Sequence, residues 1–198
     1  MIKYFVFALI FTMVYFHFGG VKALVIGDSL SCYKNGWQDV VGTKTSYKIY
    51  NISKGGKRTD WMLKELKSKL DSTEITKVGF DKVYIYGGIN DMFSGVKSDV
   101  AVRNIQEMVN LCLQNKTKPV VIVGYDPNRV NVDIKNYKSS VEKSGRNNYI
   151  QFQKELLNIK GAKIIPMDTT VTRKDSDDGI HLNAEGHRKF SKWVLEHE

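Results

Sequence analysis

Two hydrophobic patterns alternate along the chain from residue 23 onward. Short, nearly unbroken apolar runs recur at Ala23–Ile26, Tyr47–Ile52, Lys82–Tyr86, Pro119–Gly124 and Ala162–Pro166. Runs of this kind suit strands covered on both faces, as in a parallel sheet. Between them apolar residues return at three- and four-residue spacing. Trp61, Leu63, Leu66 and Leu70 mark one helix, and Val102, Ile105, Met108, Val109 and Cys112 a second. Tyr149, Phe152, Leu156 and Leu157 mark a third, and Phe190, Trp193 and Val194 a terminal one. Strand–helix alternation five times over predicts an α/β fold of three layers, a five-stranded parallel sheet with helices on both faces. Asp126 to Asn148 is polar and weakly periodic. It is expected to be a loop, or a loop plus half a helix, above the sheet.

The first residues break the pattern. Lys3 is followed by the apolar run Tyr4 to Phe18 and then by Gly19-Gly20-Val21-Lys22-Ala23. A basic start, a long apolar run and small residues make a secretory signal. At ~1.5 Å per residue the run covers only about 22 Å of a roughly 30 Å bilayer core, so it is short for a membrane span. The chain therefore divides into residues 1–23, a signal peptide or N-terminal anchor, and residues 24–198, one folded domain. The expected location is secreted or periplasmic, or membrane-tethered where the leader is kept. Val21-x-Ala23 suits the cleavage rule, yet a cut there shortens the first strand; cleavage near Gly19 or Gly20 would spare it.

Composition narrows the function. Thirty Lys+Arg against 21 Asp+Glu give a net charge of +9, but the basic residues are scattered without a long run. That describes a solvated surface rather than a nucleic-acid binder, with weak attraction to anionic envelope polymers or lipid head groups. Cys32 and Cys112 are too few for a disulfide framework, and the strands they follow place them on opposite sheet faces, so no bridge is expected. Four histidines lack metal-ligand spacing; neither a metal nor another cofactor is expected.

Ligands of an open parallel sheet bind beyond the carboxyl ends of its strands. There the sequence places Gly27-Asp28-Ser29-Leu30 after the first strand, Asn51 to Gly56 after the second and Gly88-Ile89-Asn90-Asp91 after the third. Asp178-Gly179-Ile180-His181 precedes the last helix. A hydroxyl, close-approach glycines, a carboxamide and an Asp/His pair make a complete set for acyl transfer. Serine needs an imidazole to take its proton, and the imidazole needs a carboxylate to fix its tautomer. Ser29 is also expected to open a helix, where unpaired N–H groups favour developing negative charge. Asp28 and Asp91 read as structural turn residues, and Asp175 and Asp177 as solvated loop charges. There is no Gly-x-Ser-x-Gly elbow, no dinucleotide fingerprint, and no phosphate loop at Gly55-Gly56-Lys57-Arg58-Thr59, where Arg58 replaces the needed Ser or Thr.

These four motifs, in this order, resemble the sequence blocks of the SGNH (GDSL-type) hydrolases from Leu24 to the C terminus. The resemblance implies a flavodoxin-like sheet and ester hydrolysis. It makes Ser29 the nucleophile, His181 the base and Asp178 its orienter, with Ser29, Gly56 and Asn90 forming the oxyanion hole. Gly56 is preferred to Gly55 because the family sets this glycine five residues after the Asn, with leucines seven and ten further on, as Leu63 and Leu66 are. The expected substrate is a short acyl, O-acetyl ester on an envelope or extracellular glycan. Lysophospholipid or thioester hydrolysis, or acyl transfer on the same site, is the alternative.

Overall fold

A computed structural model describes residues 20–72, 79–130 and 139–198. The apolar leader and part of the polar stretch after Asp126 lie outside the described residues.

Five strands run in parallel: β1 (Lys22–Gly27), β2 (Lys48–Asn51), β3 (Lys82–Tyr86), β4 (Lys118–Ile122) and β5 (Lys163–Ile165). Their order across the sheet is β2-β1-β3-β4-β5. The helices are α1 (Trp37–Thr45), α2 (Thr59–Asp71), α3 (Ile89–Phe93), α4 (Ser98–Gln114), α5 (Pro127–Val130), α6 (Ser139–Leu156) and α7 (Ala184–His197), with a 3-10 turn at Arg173–Asp175. All five expected strands are present within one or two residues of the predicted bounds. β1 takes in Lys22 and Ala23, which pair with Lys48 and Ile49 of β2.

One face of the sheet is covered by α1 and α7, and the other by α2, α4 and α6. Tyr84 and Tyr86 alternate on β3 and so point to the same side. The buried Trp37 ring of α1 stands edge-on to both and to Phe190 of α7, with centroids 5.7, 6.1 and 6.0 Å away. Edge-to-face packing of this kind adds to the stabilisation from burial alone. On the other face Met62 and Leu66 of α2 and Ile105, Met108 and Val109 of α4 are fully buried.

Three details go beyond the sequence pattern, and the last of them corrects it. α1 carries no clear apolar stripe; it sits close to β2 because Gly42 lacks a side chain, and a Cβ there would lie 2.7 Å from Ile49 Cγ1. In the polar stretch from Asp126, α6, from Ser139 on, fits the half helix allowed for, and the short α5 is an addition. Ser29 stands in a turn rather than at the head of a helix, since α1 starts only at Trp37.

Candidate active site

β1 ends on Gly27, which crosses β3 so closely that a Cβ would run into the Tyr86 carbonyl oxygen. The chain then turns, with Ser31 N–H donating to the Asp28 carbonyl at 3.2 Å, and lifts Ser29 above the sheet edge. Asp28 is fully buried. Its carboxylate accepts from the Leu30 N–H at 3.0 Å and from the Gly88 N–H at 3.1 Å, joining the turn after β1 to the turn after β3.

Burial pushes the Asp28 carboxyl up to about 6, against the two amides that favour its ionised form. A folded-state pKa above the unfolded one stabilises the protein fully below about pH 4, and that contribution is lost as pH rises through 6. The shift of about two units corresponds to ~3 kcal/mol. The Tm of the wild type minus that of Asp28→Asn, measured by thermal melts, should therefore fall steadily between pH 4 and pH 7. Parallel profiles would show that Asp28 does not titrate in this window.

The other half of the site hangs from the start of α7. Asn183 caps that helix by accepting from the Gly186 N–H at 3.0 Å. Ser176 and Leu182 bridge in antiparallel fashion, closing a small loop around Asp178 and His181. Ser176 Oγ donates to the His181 carbonyl at 2.7 Å and accepts from the Gly179 N–H at 2.9 Å. Asp178 Oδ1 accepts from the Ile180 and His181 N–H groups at 2.9 and 2.7 Å, which leaves Oδ2 for the His181 ring. Partial burial acts to raise the Asp178 pKa, but the His181 and Ile180 contacts outweigh it and hold the carboxyl below its ordinary value.

Three side chains form one line. Asp178 Oδ2 stands 2.6 Å from His181 Nδ1, and His181 Nε2 stands 2.9 Å from Ser29 Oγ. The carboxylate fixes a proton on Nδ1 and leaves Nε2 as an acceptor for the serine hydroxyl. Ser29 and His181 are half-buried, within reach of a substrate.

Asn90 stands at the first turn of α3, beyond β3, and its Nδ2 donates to the Lys57 carbonyl at 3.1 Å. Gly56 has φ +70°, where a side chain is strained. Gly55 faces Ser29 instead: a Cβ there would lie 3.8 Å from Ser29 Cβ and 3.7 Å from Cys32 Sγ. Asp91 is structural as expected, accepting from Thr59 N–H at 2.9 Å and Thr59 Oγ1 at 2.6 Å at the head of α2. Beside this wall, Gly56, Lys57, Arg58, Asp60, Trp61, Lys64 and Ser94 line a cavity of about 500 Å³.

Asp175 corrects an expectation. It is buried, not solvated: Lys189 Nζ reaches its two oxygens at 2.8 and 2.9 Å, and it completes a capping box with Thr172. It thereby pins the catalytic loop to α7. Tyr33 carried no sequence signal, yet its half-exposed ring meets the His181 ring edge-on at 5.6 Å. Tyr125 donates its hydroxyl to the Ile180 carbonyl and braces the loop from below. Both cysteines are free thiols, and among the described residues no group of His, Cys, Asp and Glu could hold a metal.

A parallel sheet with a Ser-His-Asp line at its carboxyl edge defines a hydrolase of the three-layer α/β class. The family model for the GDSL-like lipase/acylhydrolase family matches residues 25–189, and the chain belongs to that family. It is an SGNH-type ester hydrolase. No curated protein matches it in sequence. Among solved structures, a member of the lipolytic G-D-S-L family from Veillonella parvula superposes with a TM-score of 0.63 at 16% identity, covering 89% of this chain and 97% of its own. The esterase EstA from Pseudoalteromonas sp. gives 0.61 at 17% identity, covering 89% and 95%. An acetyl xylan esterase, AlAXEase, gives 0.65 at 15% identity, covering 89% and 98%. At these identities the likeness is one of fold.

Proposed function

We propose that this chain is an exported serine esterase that removes short acyl groups, O-acetyl above all, from an envelope or extracellular glycan. The observation that carries the mechanism is the continuous hydrogen-bonded line from Asp178 through His181 to Ser29 Oγ. Ser29 Oγ attacks the ester carbonyl as His181 Nε2 takes its proton. The oxyanion that forms is held by the N–H groups of Ser29 and Gly56 and by the second N–H of the Asn90 amide, whose first is committed to Lys57. The Gly56 N–H belongs to the peptide it shares with Gly55, which lies against Ser29. His181 then protonates the leaving alcohol, and water, deprotonated in its turn by His181, releases the acid and restores Ser29. Asn90→Ala should lower kcat by roughly 10²–10³ at nearly constant KM, as loss of one oxyanion donor does. A KM effect at constant kcat would make Asn90 a substrate binder.

The cavity beside Gly56 supports a polar alcohol. Trp61, with Lys57 Nζ 5.7 Å from its ring centroid, offers an aromatic wall for a sugar, while Lys57, Lys64 and Arg58, the last paired with Asp60 at 2.9 Å, suit hydroxyl and anionic groups. The same three cations favour a second reading, a lysophospholipid whose phosphate they would meet. The deciding measurement is kcat/KM for acetyl through octanoyl esters, with acetate release from an O-acetylated glycan. A steep rise with chain length and no acetate would overturn the glycan reading.

Export rests on the leader. Because Lys22 pairs with β2, and Ala23 with both β2 and β3, a cut after Ala23 would strip an interior strand. Removal before Gly20, or retention as a tether, keeps the sheet whole.

A further inference from the structure

All five strands begin on or pair at a lysine: Lys22, Lys48, Lys82, Lys118 and Lys163 are the first residues of β1 to β5. Lys22 is paired in register with Lys48, and Lys82 with Lys118, while Lys82 itself pairs with Ala23; the cations therefore gather at the amino-terminal edge of the sheet, Lys22 and Lys48 on one face and Lys82, Lys118 and Lys163 on the other. Lys116, just before β4, adds a sixth. Two carboxylates oppose them. Asp81 accepts from the Lys22 backbone N–H at 2.7 Å. Glu198 is held by Lys82 and by the Tyr84 hydroxyl. Lys48, Lys116, Lys118 and Lys163 remain exposed, and among the described residues no carboxylate pairs with them. Three of these, Lys116, Lys118 and Lys163, line a cavity of about 600 Å³ together with the Lys82–Glu198 pair and the apolar Leu113, which is 49% exposed, Pro119 and Val120.

We propose that this edge is a docking surface for an anionic phospholipid bilayer and turns the active site away from that bilayer. Nearby helix C-termini favour lysines on their own account, but they do not explain apolar residues in the same cavity. Cations beside apolar groups match phosphates over glycerol and acyl chains. Chain connectivity supplies the second argument. The run Tyr4 to Phe18 joins the fold at this edge through Gly19, Gly20 and Val21 alone. Three residues reach at most about 11 Å, so a membrane-held run presses the lysine edge against head groups. Ser29 lies past the opposite end of β1, roughly 20 Å away at ~3.3 Å per residue. The orientation rests on the tethered reading of the leader, and it favours a substrate on a polymer beyond the bilayer over a lipid in the same leaflet.

The test uses the full chain, carrying Cys32→Ser and one fluorophore attached at either Gln114→Cys, on the lysine edge, or Lys34→Cys, on the catalytic edge. It is mixed with phosphatidylcholine vesicles, or with vesicles containing phosphatidylglycerol, each doped with head-group spin-labelled lipid. Flotation reads the tether, and quenching reads the docking. The Gln114 reporter should be quenched at least about twofold more in the anionic vesicles, and 0.5 M salt should abolish the difference. The Lys34 reporter should stay bright. Replacing Lys48, Lys116, Lys118 and Lys163 by Gln should remove the lipid preference and leave hydrolysis of p-nitrophenyl acetate unchanged. Flotation with anionic vesicles alone would fail the tether yet support the docking surface. Equal quenching in both lipids, stronger quenching at Lys34, or a preference that survives the four substitutions would overturn it. Displacement from anionic vesicles by a soluble polyanion at low concentration would also overturn it, in favour of a polymer-binding edge.

Discussion

Ser29→Ala should abolish labelling by a fluorophosphonate probe and lower kcat by roughly 10⁵–10⁶. His181→Ala should fall as far, and the double variant scarcely further, because serine and imidazole act as one unit at 2.9 Å. Asp178→Asn should cost about 10⁴ in kcat, since the amide can offer its N–H toward Nδ1 and stabilise the wrong tautomer. Active-site titration and steady-state kinetics on the four variants check the set. Labelling that survives Ser29→Ala would remove the nucleophile from this position. A double variant whose loss equals the product of the two singles would break the unit apart.

Gly186→Ala should disable the enzyme from a residue that touches no substrate. A Cβ on Gly186 would run onto the Asp175 carbonyl oxygen and come within 3.0 Å of Leu182 Cβ. That carbonyl cannot yield easily. It accepts from the Asn183 N–H at 2.9 Å, and the Asp175 side chain is held by Lys189 and Thr172. The loop must therefore lift off α7, and His181 moves with it. Overpacking of this kind costs about 1–3 kcal/mol. A misplacement of about 1 Å at the base costs on the order of 10² in rate. Thermal melts and kcat for Gly186→Ala test both effects. Full activity in the variant would show that the loop is not positioned from this helix.

The five strands were legible in the sequence because each is a compact apolar run. That Ser29, Asp178 and His181 meet in one line was legible because acyl transfer demands those residue types at the carboxyl edge of the sheet. Three things were not. α1 is seated by the bareness of Gly42 against Ile49, which no periodicity marks. The turn at Ser29 is tied by the Asp28 carboxylate to the Gly88 N–H, sixty residues away, a contact that leaves no local pattern. Asp175 resembled its solvated neighbour Asp177, and only Lys189, fourteen residues away, distinguishes them. Contacts at that separation leave no local pattern. The braces from Tyr33 and Tyr125 are hidden for the same reason.

Ser29 and His181 are 152 residues apart in the chain. During synthesis Ser29 emerges among the first residues of the fold and His181 among the last, just ahead of the helix that packs on α1. Until α7 seats, the hydroxyl has no proton acceptor. An unfinished or unfolded chain is thus chemically silent. Long-range closure of this kind is its own safety catch.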